Sequence, residues 1–121
     1  MKILIIDDDL AINKVLRKVL EMEGHEVINS YDGIEGIPIL NKTPDIDLVI
    51  TDIVMPEKEG IETIMEIRKT NKAIKIIAIS GGGRLKPDGY LLLAEKLGAD
   101  AVLKKPFDGD ELLETIEKIY R

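Results

Sequence analysis

The chain has 121 residues, a formal net charge of −6 and no cysteine. This length suits one domain with its own hydrophobic core, so we expect a single domain over residues 1–121, and the lack of cysteine excludes disulfides and thiolate metal sites. The acidic balance argues against nucleic-acid binding by this domain. Since the sequence has neither a membrane-length apolar run nor a leader, we expect a cytoplasmic protein that does not enter a membrane.

Apolar runs alternate with helical patterns along the whole chain. The first half predicts a strand at Ile3–Ile6, a helix ending near Gly24, a strand at Glu26–Ile28, a helix opened by Asp32 and a strand at Leu48–Ile50. The second half predicts a helix through Ile61–Met65, a strand at Lys75–Ile79, a helix over about Tyr90–Leu97, a strand at Ala101–Leu103 and a helix capped by Asp108. Five strands alternating with five helices predict an α/β fold, with a parallel sheet covered by helices on both faces.

The second predicted helix has an unusual composition. Asp32 followed three residues later by Glu35 resembles a capping box, which marks a helix start. Gly36 and Pro38 then fall inside the helix, and proline removes an internal hydrogen bond. We therefore expect this helix to be short, kinked or late-starting.

Four of the predicted strands run out into charged or hydroxyl side chains. These residues are Asp7 and Asp8, Asp52, Ser80 and Lys105. In an open parallel sheet the carboxyl ends of the strands lie along one edge, where ligands bind. We therefore expect three carboxylates, one hydroxyl and one ammonium group to share a crevice at that edge.

This set of charges calls for a cation. Two like charges about 4 Å apart repel by roughly 4 kcal/mol at an effective dielectric constant near 20, and the single Lys105 cannot offset three carboxylates. Mg²⁺ can, because it prefers a few carboxylate oxygens, retained waters and a phosphate oxygen. Beside such an ion Asp52 stays ionised and can act as a nucleophile that forms an aspartyl phosphate.

Along nearly its whole length the chain resembles the receiver domain of two-component response regulators. The matching pieces are Ile3–Asp9, Asp52–Pro56 with Gly60, Ser80–Gly81, Gly98–Asp100 and Lys105–Phe107. The resemblance implies a three-layer, doubly wound, flavodoxin-like fold whose five-stranded parallel sheet has the order 2-1-3-4-5. It also implies a phosphorylation-dependent switch rather than an enzyme.

The same resemblance implies a role for each site residue. Asp52 would accept a phosphoryl group from a sensor histidine kinase or a histidine phosphotransfer protein. Asp8 would bind Mg²⁺ directly and Asp7 mainly through water, with Asp52 and the Val54 carbonyl as further ligands. Lys105 would pair with Asp52 or its phosphoryl group.

Two more family features concern the ends of the last strands. Ser80 would bind a phosphoryl oxygen, with the small Gly81 beside it. The Lys105–Pro106 peptide bond would be cis, which is tolerable because the bond precedes proline.

The chain departs from the family pattern at several positions. Val102 stands where the family often has Tyr or Phe, so the usual aromatic movement on switching is unavailable. Val54 and Gly82 stand where side chains often steer the attacking water, which predicts a persistent phosphorylated form. The glycines after Ser80 predict a segment that is mobile without phosphate.

Two other functions fit parts of the sequence. Asp7–Leu10 also fits the Asp-x-Asp start of haloacid-dehalogenase-type phosphohydrolases, although Ala11 stands where that family has Thr. A pseudo-receiver that serves only as a binding module is the other alternative, and the complete set of acidic, Ser and Lys residues argues against it.

The output partner is left open by the sequence. Leu91–Leu93 cannot all lie on one buried helix face, so part of this run should be exposed. It either adds core contacts or belongs to a surface of helix 4, strand 5 and helix 5 that binds a downstream protein or a second copy of the chain. The domain acts alone through such a partner or as part of a longer regulator.

Overall fold

The computed structural model describes residues 1–53, 60–80, 92 and 95–120. Its strands are β1 (Lys2–Ile6), β2 (Glu26–Ser30), β3 (Leu48–Asp52), β4 (Lys75–Ser80) and β5 (Ala101–Lys104). Its helices are α1 (Leu10–Met22), α2 (Gly33–Lys42), α3 (Gly60–Thr70), α4, described at residues 92 and 95–97, and α5 (Gly109–Ile119). Within the described residues, no helix combines the length and apolar character needed to cross a membrane.

The five strands form one parallel sheet in the order β2-β1-β3-β4-β5. This confirms the predicted fold class and strand order, including the edge position of β2. The register sets Ile6 opposite Thr51 of β3 and Asp52 opposite Ile79 of β4, so these strands end at the same level. The residues that follow them therefore meet at one edge.

Helices cover the sheet on both faces, which explains why the strands read as unbroken apolar runs. Along β1, Ile3 and Ile5 point towards one side, and Leu4 and Ile6 towards the other. The first side packs against α1 and α5 through the apolar residues Leu16, Leu20, Leu112 and Ile116. The second packs against α2 and α3 through Leu40, Ile64 and Ile67.

Asp32 caps α2 as the sequence predicted. Its side chain accepts a hydrogen bond of 2.8 Å from the backbone N–H of Glu35. The helix starts directly after this cap, so its start is not delayed, and its ten residues make it short. Pro38 lies inside the helix and has no N–H to donate to the carbonyl of the preceding turn, so one internal hydrogen bond is missing there.

Caps also place the segments that follow β1 and β5. Asp9 accepts hydrogen bonds from the N–H groups of Ala11 and Ile12, which starts α1 just beyond the end of β1. Asp108 does the same for α5 through the N–H of Glu111. The residues between each strand and its next helix are thereby held at the carboxyl edge of the sheet.

Candidate functional site

Asp52 is the last residue of β3 and is 5% exposed. The next residue, Ile53, donates its N–H to the carbonyl of Ile79 in β4 at 3.0 Å. Gly60, the first residue of α3, lies directly on this backbone: a Cβ there would stand 2.0 Å from the Asp52 carbonyl oxygen. The backbone that carries Asp52 is therefore held between β4 and the start of α3.

Asp7 and Asp8 follow β1 but differ in exposure, because Asp7 is buried and Asp8 is exposed. The N–H of Asp7 donates to the carbonyl of Ser30 at 3.2 Å, which continues the pairing of β1 with β2 by one residue. Its Oδ1 accepts a hydrogen bond of 2.9 Å from the N–H of Asp9. One carboxylate of the pair is thus fixed inside the protein, and the other faces solvent.

The three aspartates come together as the sequence predicted. Asp7, Asp8 and Asp52 each offer a carboxylate oxygen, and these oxygens lie within 4.8 Å of one another. Lys105 approaches from the end of β5: its Nζ lies 3.2 Å from Oδ2 of Asp52 and 3.4 Å from Oδ2 of Asp7. This cluster therefore places one ammonium group among three carboxylates.

Burial and neighbouring charges shift the pKa values of Asp7, Asp8 and Lys105. Burial raises the pKa of Asp7 from 3.8 to about 6, against the opposing hydrogen bond from the N–H of Asp9. Burial and the charge of Asp52 raise the pKa of Asp8. Burial lowers the pKa of Lys105, but the carboxylates of Asp52 and Asp7 outweigh it and leave that pKa raised. The Lys105 ammonium group therefore stays charged, whereas the surroundings of Asp7 and Asp8 disfavour the ionised forms of these two carboxyl groups.

The residues present fit a divalent cation. Oδ2 of Asp7 is buried and accepts no hydrogen bond from the described residues, although Lys105 lies 3.4 Å away. A buried carboxylate oxygen in this state is costly unless a cation balances it. Three carboxylates are also the type of oxygen donor that Mg²⁺ selects. The further ligand implied by the resemblance, the Val54 carbonyl, lies outside the described residues.

Ser80 ends β4 beside this cluster. It is fully buried, and its Oγ has no hydrogen-bond partner among the described residues. Its carbonyl accepts the N–H of Lys105 at 2.8 Å, so the two residues are tied together through the backbone. The Lys105–Pro106 bond is cis, as the resemblance implied. A hydroxyl without a hydrogen-bond partner in the described part of the chain therefore stands next to the residue that carries the ammonium group.

Several other predictions from the sequence concern neighbouring residues. Gly81, Gly82, Leu91 and Leu93 lie outside the described residues. The mobility of the glycine segment therefore stays a prediction. Leu92 is described and is 56% exposed, in keeping with an incompletely buried leucine run. Val102 is partly buried against the α2 and α3 side of the core.

The motifs in the sequence did not point to Asn13, a buried residue of α1 whose side chain donates a hydrogen bond to the backbone carbonyl of Asp7. The sequence did contain a signal for it. Positions 13, 16 and 20 share a helix face, and positions 16 and 20 of that face carry leucine. A polar residue on an apolar stripe needs hydrogen-bond partners inside the protein, which directs attention to the strand ends nearby.

Comparison with known proteins gives consistent matches over nearly the whole chain. A family model described as "Response regulator receiver domain" matches residues 3–117. The transcriptional regulatory protein CpxR of Escherichia coli (strain K12) is 38% identical over 120 residues, covering 99% of this chain and 49% of CpxR. The chemotaxis protein CheY of Treponema pallidum is 32% identical over 122 residues, covering 99% of this chain and 83% of CheY.

A solved structure supports the same assignment. The response regulator receiver domain protein from Clostridium thermocellum superposes with a TM-score of 0.89 at 34% sequence identity, covering 98% of this chain and 92% of that one. The chain spans about half the length of the CpxR proteins that it matches.

Proposed function

Because the chain belongs to the family of response regulator receiver domains, we propose that it is a phosphorylation-dependent signalling switch in which Asp52 accepts the phosphoryl group. The observation that carries this proposal is the position of Lys105. Its ammonium group reaches Asp52 and Asp7 from the end of another strand, at the edge where a ligand of a parallel sheet binds.

The chemistry is the transfer of a phosphoryl group between two nucleophiles. A carboxylate oxygen of Asp52 attacks phosphorus as the bond from phosphorus to the donor nitrogen breaks, which leaves an aspartyl phosphate and a free imidazole. Such transfers depend mainly on positioning and on charge neutralisation. Lys105 supplies a fixed positive charge beside Asp52, and the Ser80 hydroxyl can donate a hydrogen bond to a phosphoryl oxygen.

Mg²⁺ is the cofactor that this donor set would hold. Asp7, Asp8 and Asp52 would be its side-chain ligands, directly or through water, and the Val54 carbonyl would be a further one. When bound, the ion supplies positive charge that offsets the three carboxylates and the incoming phosphoryl oxygens. A bound ion would also balance the charge on the buried Oδ2 of Asp7, which accepts no hydrogen bond from the described residues.

We propose a phosphohistidine-bearing protein, a sensor histidine kinase or a histidine phosphotransfer protein, as the donor. A surface pocket of about 460 Å³ lies between α1 and the start of the segment after β5. It is lined by Ala11, Ile12, Val15, Leu16, Lys105, Pro106 and Phe107. Leu10 and Val15 are each 61% exposed at this end of α1. A partner seated on this apolar surface would hold its phosphohistidine close to Asp52, because Lys105 borders both.

The output would be a change in the surface formed by α4, β5 and α5, which binds a downstream protein or a second copy of the chain. A second pocket lies on this surface and is lined by Asp100, Ala101, Val102, Thr115, Lys118 and Ile119. Leu92 of α4 is also exposed, so the proposed surface contains both apolar and charged groups that a partner could contact. We propose no enzymatic turnover beyond the domain's own phosphorylation and slow dephosphorylation.

The phosphohydrolase alternative would make Asp7 the nucleophile. Its carboxyl group is buried, and its Oδ1 already accepts the N–H of Asp9, which supports a holding role instead. The test is incubation of the intact chain with acetyl phosphate and Mg²⁺, followed by intact mass spectrometry. We expect one added phosphoryl group that is absent in Asp52→Asn and retained in the exposed control Asp110→Asn. Addition to Asp52→Asn at the wild-type level would overturn the proposal.

A further inference from the structure

Asn13 is a polar residue on the buried stripe of α1. It is 1% exposed, and its Nδ2 donates to the carbonyl of Asp7 at 3.0 Å and to the carbonyl of Ser30 at 2.9 Å. Asp7 directly follows β1, and Ser30 is the last residue of β2. One side-chain amide therefore ties α1 to the carboxyl ends of two neighbouring strands.

The orientation of this amide is fixed from the protein surface. Oδ1 of Asn13 accepts a hydrogen bond from Nδ2 of Asn29, and Oδ1 of Asn29 accepts one of 2.6 Å from Nη1 of Arg17. A guanidinium group can only donate hydrogen bonds. Arg17 therefore requires the Asn29 oxygen to face it, which turns the Asn29 NH₂ towards Asn13 and the Asn13 NH₂ towards the two carbonyls.

This chain of hydrogen bonds acts on Asp7. The Asp7 carbonyl is held by Asn13, its N–H by the Ser30 carbonyl and its Oδ1 by the N–H of Asp9. The remaining polar atom, Oδ2, points into the acidic cluster, where Lys105 lies 3.4 Å away. Of the hydrogen bonds that fix Asp7 within the described part of the chain, the bond from Asn13 is the one donated by a side chain.

We propose that Asn13 is a positioning residue for the cation site, held in its working orientation by Asn29 and Arg17. The proposal rests on the function proposed above, because it assigns Asn13 to the geometry of a Mg²⁺ ligand. Residues that hydrogen-bond to metal ligands typically change metal affinity by 10- to 100-fold when replaced. Arg17 also links this geometry to the outer surface of α1, where its side chain is 46% exposed.

The test compares variants along the chain of hydrogen bonds by two measurements. Isothermal titration with MgCl₂ gives the Mg²⁺ affinity, and amide hydrogen exchange in the metal-free protein reports the bond from the Asp9 N–H to Asp7. Asn13→Leu keeps the branched shape of the side chain but removes both donors. We expect it to lose about tenfold in Mg²⁺ affinity and to speed exchange at Asp9.

The surface end of the chain provides a variant that does not disturb the core. Arg17→Met removes the donor to Asn29, and we expect a smaller loss of Mg²⁺ affinity in the same direction. Arg17→Gln retains an N–H donor and should lie closer to the wild type. The control is Glu21→Gln, which removes the ion pair of Arg17 with Glu21 without touching Asn29 and should match the wild type in both measurements.

The outcomes separate this inference from the proposed function. A wild-type chain that binds no Mg²⁺ would refute the metal-dependent function, and exchange at Asp9 would still report on positioning. If folded Asn13→Leu equals the wild type in Mg²⁺ affinity and in exchange at Asp9, the proposal is overturned. If Asn13→Leu does not fold, Arg17→Met decides in the same way.

Discussion

The ammonium nitrogen of Lys105 lies 3.2 Å from Oδ2 of Asp52, although 53 positions separate the two residues in the chain. Both sit at the carboxyl edge of the sheet, with the strand β4 between them. In the proposed phosphoryl transfer, Lys105 is therefore placed beside the attacking carboxylate and the phosphoryl oxygens that it would bind. Lys104, one residue earlier, is exposed.

The first prediction concerns this contact. Lys105→Met should slow phosphorylation by acetyl phosphate about 10- to 100-fold, because a preorganised charge at the reacting group is lost. The measurement is the time course of phosphorylated protein by intact mass in saturating Mg²⁺. Lys104→Met is the matched control and should keep the wild-type rate. Equal rates in the two variants would remove Lys105 from the proposed mechanism.

The second prediction concerns Gly60, whose Cβ would stand 2.0 Å from the Asp52 carbonyl oxygen and 2.4 Å from Cα of Ile53. Backbone atoms cannot rotate away as a side chain can. Gly60→Ala should therefore cost about 1–3 kcal/mol of unfolding free energy, measured by urea denaturation, and should slow phosphorylation by displacing Asp52.

Gly109→Ala is the control for this substitution. A Cβ at Gly109 would meet only the methyl groups of Val19, at 3.3 and 3.4 Å, so we expect little change in stability. If Gly60→Ala were as stable as Gly109→Ala, the close approach of α3 to Asp52 would be wrong.

The sequence predicted the fold and the placement of Asp7, Asp52 and Lys105 because each follows an apolar run whose end is visible locally. Strand order needed the family resemblance, since apolar runs alone do not say which strands are neighbours. The supporting contacts of Asn13 could not be read in the same way. They join residues that are close only after α1 packs on the sheet, and two of them end on backbone carbonyls.

The third prediction concerns pH. The pKa of Asp7 is about 6 in the folded protein, above its ordinary value of 3.8. Between these values the folded state keeps a proton that the unfolded state has released, so metal-free stability falls as pH rises from about 4 to about 6. The loss is on the order of 3 kcal/mol and remains at neutral pH.

Asp7→Asn should therefore be more stable than the wild type at pH 7 in EDTA and close to it at pH 4, by urea denaturation. Its amide oxygen can still accept the N–H of Asp9. Asp9→Asn removes the same charge two residues away while retaining a good helix cap, and it should not flatten the pH dependence. A wild-type protein whose stability rises between pH 4 and pH 6 would contradict the raised pKa of Asp7.

The fourth prediction concerns Mg²⁺. A ligand that binds only the folded state raises the free energy of unfolding by about 2.7 kcal/mol when its concentration is 100-fold above its dissociation constant. We expect MgCl₂ to raise the melting temperature at pH 7 and to have less effect at pH 5, where a larger share of Asp7 is protonated. Asp8→Asn should reduce the increase, whereas the exposed control Asp110→Asn should retain it. An equal increase in all three proteins would point to a general salt effect.

Arg68 on α3 holds together three segments at the opposite edge of the sheet. Its guanidinium donates to the carbonyl of Gly98 at 2.8 and 2.9 Å, to that of Ile74 at 2.6 Å and to that of Asn71 at 3.2 Å. It also pairs with the carboxylate of Asp100 at 2.9 Å. The side chain is 16% exposed, and its bonds to the carbonyls of Gly98 and Ile74 are partly buried, so water replaces it poorly at these two carbonyls.

The fifth prediction follows from this arrangement. Arg68→Met keeps the aliphatic part of the side chain but leaves several carbonyls without their donor, so it should cost about 2–4 kcal/mol of unfolding free energy. Lys69→Met removes the same charge from the next, exposed position and should change stability by less than about 0.5 kcal/mol. Urea denaturation at high salt distinguishes the two causes, because screening would erase a purely long-range charge effect but not the loss of these hydrogen bonds. If Arg68→Met and Lys69→Met unfolded at the same urea concentration, Arg68 would not anchor the segment between α4 and β5.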